Sequence, residues 1–127
     1  KSNLGDRFHA VTDYENMLSI VRCSKASFNY CVRGDMNFRT FEVLGCGTEL
    51  LTNDVPDIHK ISGLEQRLTI YKDRSDLIDY ALRLMDGDEA LKHDCLDSQQ
   101  WVKEHHCLIN RHLSLLRIIE SGVQEDF

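Results

Sequence analysis

Glu42 is the side chain whose position is hardest to explain without a partner or a ligand. Residues 38–46 have helical spacing, and on a wheel at about 100° per residue Glu42 falls at the flank of the apolar side. That side holds Phe38, Phe41 and Gly45. A carboxylate at the edge of a buried stripe costs free energy unless it is paired or binds a ligand. Two interpretations follow, an ion pair within the helix and a site for a polar ligand.

Arg39 lies three residues before Glu42 and is compatible with either interpretation. Pairs at this spacing on a helix are common and weakly stabilising, so an Arg39–Glu42 ion pair is the simple explanation. In the alternative, Glu42 accepts hydrogen bonds from sugar hydroxyls, while Arg39 and Arg33 offer bidentate hydrogen bonds to phosphate. The residue types alone leave both interpretations open.

The elements around this segment would place it at one edge of a sheet. Residues 26–32 are predicted to form a buried strand, and a loop at 33–37 leads from it into the helix, with Asn37 as the helix cap. A further short strand follows at 50–52. Ligands of open parallel sheets bind beyond the carboxyl ends of the strands, and loop N–H groups with a helix N-terminus suit phosphate. The 33–37 loop is therefore the predicted ligand side.

The rest of the chain continues the alternation of helices and strands. It is predicted to contain a helix at 14–23, a helical turn at 57–61, a strand at 67–71, a helix capped by Ser75, a helix at 88–102 capped by Asp88, and a last helix at 108–119. The apolar stripes assigned to the core are Leu77, Ile78, Ala81, Leu82 and Met85 in one helix and Leu108, Leu115, Leu116 and Ile119 in the last.

This order predicts an α/β, Rossmann-like fold, a parallel sheet flanked by helices. Residues 1–127 are expected to form a single domain because no linker or repeat divides them. Three strands are few for such a sheet, so we expect an incomplete domain that belongs to a larger protein.

The run RTFEVLGCGTELLT at 39–52 resembles the R-x-F-E-A-x-A-C-G-x-x-L-L-T pattern of group 1 glycosyltransferases, in the branch that resembles spore-maturation protein B. Further matches follow the same order along most of residues 13–119. They are Asn37, Val55 and Pro56, Tyr71 to Asp73, and a His106…Arg111 pair. The resemblance implies the C-terminal, nucleotide-sugar-binding lobe of a GT-B glycosyltransferase, with C-terminal helices at about 88–121.

The resemblance also implies roles for individual residues. Glu42 matches the glutamate that hydrogen-bonds the ribose hydroxyls, and the turn at Gly45 and Gly47 matches one that lets the helix pack closely against the next strand. The 33–37 loop would approach the donor sugar and the diphosphate. The implied donor-binding set is Arg33, Asp35, Asn37, Arg39, Glu42 and Gly47.

The implied substrate is a nucleotide-diphosphate sugar, with neither a cofactor nor a metal. The acceptor and the catalytic base would belong to a missing N-terminal acceptor-binding domain. The catalytic residues are therefore unknown, and the isolated chain is expected to be inactive.

The sequence departs from the family pattern at several positions. Gly34 stands eight residues before Glu42, where the family has a second glutamate, and Asp35 is adjacent but out of register. Contact between this position and the sugar therefore stays open. Glu49 replaces a common proline, and Gly45 replaces the usual alanine.

Composition excludes several classes of protein. A formal net charge of -6 disfavours nonspecific binding to nucleic acid. No apolar run approaches the ~20 residues of a transmembrane segment. Five dispersed cysteines favour reduced thiols and hence a cytoplasmic protein.

Other readings of the sequence stay open beside the transferase. The first is a non-enzymatic α/β interaction module or a degenerate glycosyltransferase lobe, and the second is another GT-B enzyme such as an epimerase or a phosphorylase. The histidines and cysteines near the C-terminus fit no zinc spacing, so we interpret His106 and Arg111 as anchors of the last helix.

Overall fold

Three short parallel strands form the sheet that supports the candidate site. In the computed structural model, which describes residues 13–122, the strands are β1 (Ala26–Asn29), β2 (Glu49–Asn53) and β3 (Thr69–Tyr71), in the spatial order β1-β2-β3. Leu51 of β2 lies opposite Phe28 on one side and Thr69 on the other. The predicted α/β, Rossmann-like arrangement is confirmed.

Helices connect and flank the strands. They are α1 (Tyr14–Arg22), α2 (Arg39–Gly45), α3 (Pro56–Lys60), α4 (Arg74–Asp86), α5 (Cys95–Trp101) and α6 (Leu108–Ser121). Two 3-10 turns lie at Glu65–Arg67 and Glu89–Leu91, and a π-helical turn, Val102–His106, continues α5. None of the helices in the described part of the chain combines the length and apolarity needed to cross a bilayer.

The core lies on both faces of the central strand β2. Alternate side chains of a strand point to opposite faces, so Leu50 and Leu51 enter different clusters. Leu50 packs with residues of α2 and α3, among them Leu44 and Ile58, and Leu51 packs with Leu84 of α4. Full burial of one such leucine contributes roughly 1.5–3 kcal/mol, so β2 is the best-anchored strand.

Two predicted helix caps are wrong. Phe38 precedes α2 and no side chain caps that helix, because the amide of Asn37 instead exchanges two hydrogen bonds with the amide of Asn29. α4 begins one residue after Asp73, whose carboxylate accepts from the N–H groups of Ser75 and Asp76. Asp73 therefore takes the capping position predicted for Ser75.

The predicted helix at 88–102 is also wrong. Asp88 caps only the 3-10 turn Glu89–Leu91. α5 starts later, where the Asp94 side chain accepts from two N–H groups of its first turn. Two capping residues six positions apart thus divide the segment into two shorter elements.

The core assignment of the apolar stripes is only partly correct. Leu77, Ala81 and Leu84 of α4 pack under the sheet, whereas Ile78, Leu82 and Met85 are exposed. The predicted stripe of α6, Leu108, Leu115, Leu116 and Ile119, is more than half exposed throughout. Helical spacing shows that a stripe exists, but it does not show whether the described chain supplies a surface to cover it.

Candidate functional site

Glu42 and Tyr14 meet at the carboxyl edge of the sheet. α1 ends just before β1 begins, and α2 begins just after β1 ends. The first turns of both helices therefore lie beside the carboxyl end of β1. The phenol of Tyr14, the first residue of α1, donates to Oε1 of Glu42 at 3.0 Å. A carboxylate in the first turn of α2 is therefore held at the edge where such folds bind ligands.

Arg39 completes this group. Its Nη1 lies 3.7 Å from Glu42 Oε2 and also contacts the sulfur of Met17. The ion pair expected from the spacing is therefore present, at a contribution of about 0.2–0.5 kcal/mol. The Arg39 and Glu42 side chains keep 34% and 27% of their surface exposed. Within residues 13–122 Tyr14 provides the one hydrogen bond to this carboxylate, so acceptor capacity remains.

The pKa of Tyr14 is raised above its ordinary value of 10.0, first by the hydrogen bond to Glu42 and then by burial and by the negative charge of Glu42. Ionising the phenol would remove the donated proton and bring two negative charges together. Tyr14 is therefore a neutral hydrogen-bond donor at physiological pH.

The 33–37 loop is fixed at its second half and open at its first. Asn37 is tied to Asn29, and the N–H of Met36 donates to Oδ2 of Asp57 at 3.2 Å. Arg33 and Asp35 are exposed, and neither forms a hydrogen bond or an ion pair within the described part of the chain. The structure thus brings Arg39 and Glu42 together, ties Asn37 to the sheet, and leaves Arg33 and Asp35 facing solvent.

Gly47 lies past the C-terminal end of α2, opposite the end that holds Arg39 and Glu42. Its φ of 71° is in the left-handed region, and a Cβ there would lie 3.6 Å from the Cys95 carbonyl. A Cβ on Gly45 would lie 3.5 Å from Cγ1 of Val102. Both distances are ordinary van der Waals contacts, so the two glycines face α5 and the turn that follows it, and only the positive φ of Gly47 favours glycine.

A groove of about 570 Å³ at the strand ends had no counterpart in the sequence prediction. Tyr30, Asn53, Tyr71, Lys72 and Arg74 are among its walls. The base of the groove is stabilised by a hydrogen bond, in which Tyr71 Oη donates to the Asn29 carbonyl at 3.0 Å. Polar residues directly after β2 and β3 were the signal that could have revealed it.

Glu49, the first residue of β2, belongs to a second group that the sequence did not indicate. It is 5% exposed, and its Oε2 lies 2.8 Å from Nδ1 of His93. Cys95 Sγ lies 3.5 Å from Oε1. Burial, followed by the Glu49 charge, raises the pKa of the Cys95 thiol to about 11. This thiol stays protonated at neutral pH, and Glu49 serves to hold the segment before α5.

His106 and Arg111 anchor the last helix, as predicted. The His106 ring stacks on Phe41 with a centroid distance of 4.8 Å, and the Arg111 guanidinium carbon lies 4.8 Å from the same ring centroid. All five cysteines are free, and no group of three metal-ligating side chains occurs within residues 13–122.

The model of the glycosyl transferase-like family matches residues 2–117. The match spans most of the 127 residues, so the chain belongs to the glycosyl transferase-like family. This membership supports glycosyl transfer as the general reaction, with a sugar donor as substrate. No curated protein and no solved structure matches the chain significantly.

Proposed function

We propose that the chain is the C-terminal, nucleotide-sugar-binding lobe of a GT-B glycosyltransferase, in the branch that resembles spore-maturation protein B. In this proposal, residues 1–127 bind a nucleotide-diphosphate sugar, and Glu42 accepts hydrogen bonds from its ribose. A second, N-terminal lobe holds the acceptor and the catalytic base, so the isolated chain transfers no sugar.

The position of the Glu42 carboxylate carries the proposal. It lies at the carboxyl edge, Tyr14 orients one of its oxygens, and Oε2 has Arg39 only at 3.7 Å. A ribose presents two adjacent hydroxyl donors, and an ionised carboxylate offers about four lone-pair sites to them. Hydrogen bonds to a charged acceptor are the strong ones, so a fixed carboxylate suits recognition of a diol.

The reaction also needs positive charge near the diphosphate. Breaking the bond between the anomeric carbon and the diphosphate leaves negative charge on the leaving group, and fixed cations stabilise that charge. Arg39 is partly exposed beside Glu42, and Arg33 projects from the open half of the loop. These two guanidinium groups are our candidates for the diphosphate, with Asp35 and Asn37 nearest the sugar.

Titration of the isotope-labelled 127-residue chain with UDP and with GDP tests the proposal by NMR. We expect one nucleotide to shift the amide signals of residues 33–47 and of Tyr14, and Glu42→Gln to weaken that response. Glu15→Gln, an exposed change in the first turn of α1, is the matched control and should have no effect. Silence toward both nucleotides, or shifts confined to another surface, would contradict the assignment.

A non-enzymatic interaction module is the second candidate. The exposed apolar residues of α6, including Leu108, Ile109 and Ile119, favour it because such a face is a common protein contact surface. This candidate predicts no nucleotide response at residues 33–47, so the same titration separates the two functions.

A further inference from the structure

A cavity of about 370 Å³ lies between the 33–37 loop, α3 and the start of α6. Its polar wall includes Lys60, His106, Arg111 and one carboxylate, Asp57, while Met36 and Ile61 give it an apolar side. It is separate from the group formed by Tyr14, Arg39 and Glu42, none of which lines it.

Arg111 is the unusual member of this wall. Its guanidinium carbon lies 4.8 Å from the centroid of Phe41 and 5.4 Å from that of Phe38, and the residue is half-buried. Within residues 13–122 no group accepts a hydrogen bond from this guanidinium, and no carboxylate pairs with it. Arg67 and Arg83, in contrast, reach Asp97 and Asp88. The guanidinium has five N–H donors, is held on two aromatic rings and lines a cavity. An anion would satisfy these donors.

The neighbouring charges leave that of Arg111 uncompensated. The Asp57 carboxylate is already engaged, since Oδ1 lies 2.9 Å from Lys60 Nζ and Oδ2 accepts from the Met36 N–H. Burial, followed by the charges of Arg111 and His105, lowers the pKa of His106 to about 4, so this imidazole is neutral at physiological pH. In a chain of net charge -6, this cavity is therefore a local positive site.

We propose that this cavity binds the phosphate group of a phosphorylated small molecule, with Arg111 as its bidentate ligand. A bidentate pair with the guanidinium already engages both oxygens of a carboxylate. A phosphate has further oxygens for Lys60 and for the Ser114 hydroxyl, which also lines the cavity. The remaining volume, beside Met36 and Ile61, accommodates an organic group.

This proposal goes beyond the donor site and does not depend on it. Phosphate binding at Arg111 requires neither a ribose at Glu42 nor the transfer of a sugar. Either assignment can therefore be disproved without affecting the other. Glu42→Gln should leave the response to inorganic phosphate unchanged, and loss of the Arg111 guanidinium should leave the ribose preference at Glu42 unchanged.

The test is an NMR titration of the full chain with inorganic phosphate, with sodium acetate as the second arm. We expect phosphate to shift the imidazole signals of His106 and to raise its pKa, because a bound anion offsets the charge of Arg111. Acetate should bind at least about tenfold more weakly, since it lacks the additional oxygens.

Two variants of Arg111 and one control complete the design. Arg111→Met should weaken phosphate binding by about tenfold or more, and Arg111→Lys should give an intermediate loss because it keeps the charge without the fork. Arg117→Met, on the exposed side of the same helix, should have no effect. If Arg111→Met loses its native spectrum, the Arg111→Lys comparison decides.

Three results would overturn the proposal. They are the absence of a phosphate response at His106, a response that survives in both Arg111 variants, and acetate binding as tight as phosphate binding. The last result would assign the cavity to a carboxylate ligand instead.

Discussion

The phenol of Tyr14 and the carboxylate of Glu42 are joined by a 3.0 Å hydrogen bond, although 28 positions separate them in the sequence. The contact links the first turns of α1 and α2 at the carboxyl edge of the sheet. Within α2 alone, this carboxylate would pair only with Arg39. The hydrogen bond from α1 means that two helices set its orientation.

The first prediction concerns the pKa of Tyr14. Glu42→Gln removes the charge and weakens the acceptor, so the pKa of Tyr14 should fall toward its ordinary value of 10.0. An NMR titration of ring-labelled tyrosine measures it. Tyr80, which lies in α4, is the internal control, and the substitution should leave its ring signals unchanged. An unchanged Tyr14 pKa would show that the contact does not form in solution.

The second prediction compares two glycines of one turn. Gly47→Ala should lower the free energy of unfolding by about 1–2 kcal/mol, since φ is 71° and a side chain is strained there. Gly45→Ala should be neutral or stabilising by up to about 1 kcal/mol, because its Cβ meets Val102 at an ordinary 3.5 Å and alanine favours a helix. Urea unfolding of both variants measures the difference, and equal effects would contradict the backbone argument.

The third prediction concerns the Cys95 thiol. Burial and the neighbouring Glu49 raise its pKa to about 11, so a maleimide should modify it more slowly than the exposed Cys23. Glu49→Gln removes the largest cause after burial and should accelerate modification of Cys95 severalfold. Peptide mass spectrometry follows both sites, with Cys23 as the internal control. Equal rates at Cys95 in the two proteins would show that Glu49 does not act on this thiol.

The fourth prediction is a pH dependence of stability. The pKa of His106 is about 4 in the folded chain against an ordinary 6.5, so between these values the unfolded state binds more protons. The contribution of the neutral His106 ring to the free energy of unfolding is complete above pH 6.5 and is lost as the pH falls toward 4. Linkage allows at most about 3 kcal/mol, and solvent screening of the partly exposed ring reduces it.

Urea unfolding at neutral pH and near pH 4 measures this loss. His106→Phe keeps a ring between Phe41 and Trp101 but cannot titrate, so it should lose less stability on acidification than the wild type. His112→Phe, an exposed change on α6, should behave as the wild type does. A loss of equal size in all three proteins would show that His106 is not the group responsible.

Local patterns were sufficient for most of the elements and for the Arg39–Glu42 pair, but not for the segment at 88–102. Helical and strand periodicities have a short range, so α1, α2 and the three strands follow from them within a few residues. Caps were less certain, because Asp73 and Ser75 are both good capping residues two positions apart and only the backbone selects between them.

Contacts between distant segments could not be predicted from one sequence. Glu49 meets His93 across 44 positions, and nothing in either local pattern indicates the pairing. The cavity at Arg111 depends in the same way on how α6 returns to α3 and the 33–37 loop. The residue types at the candidate site were visible in the sequence, but the groups they form required the fold.

The most direct test of the account is the ribose preference of Glu42. The measurement is the dissociation constant of the better-binding nucleotide, UDP or GDP, against its dideoxyribose analogue, in the wild type and in Glu42→Gln. We predict that the wild type prefers the ribonucleotide by about tenfold or more and that Glu42→Gln loses this preference. An equal preference in both proteins would contradict the assignment of Glu42 to the ribose.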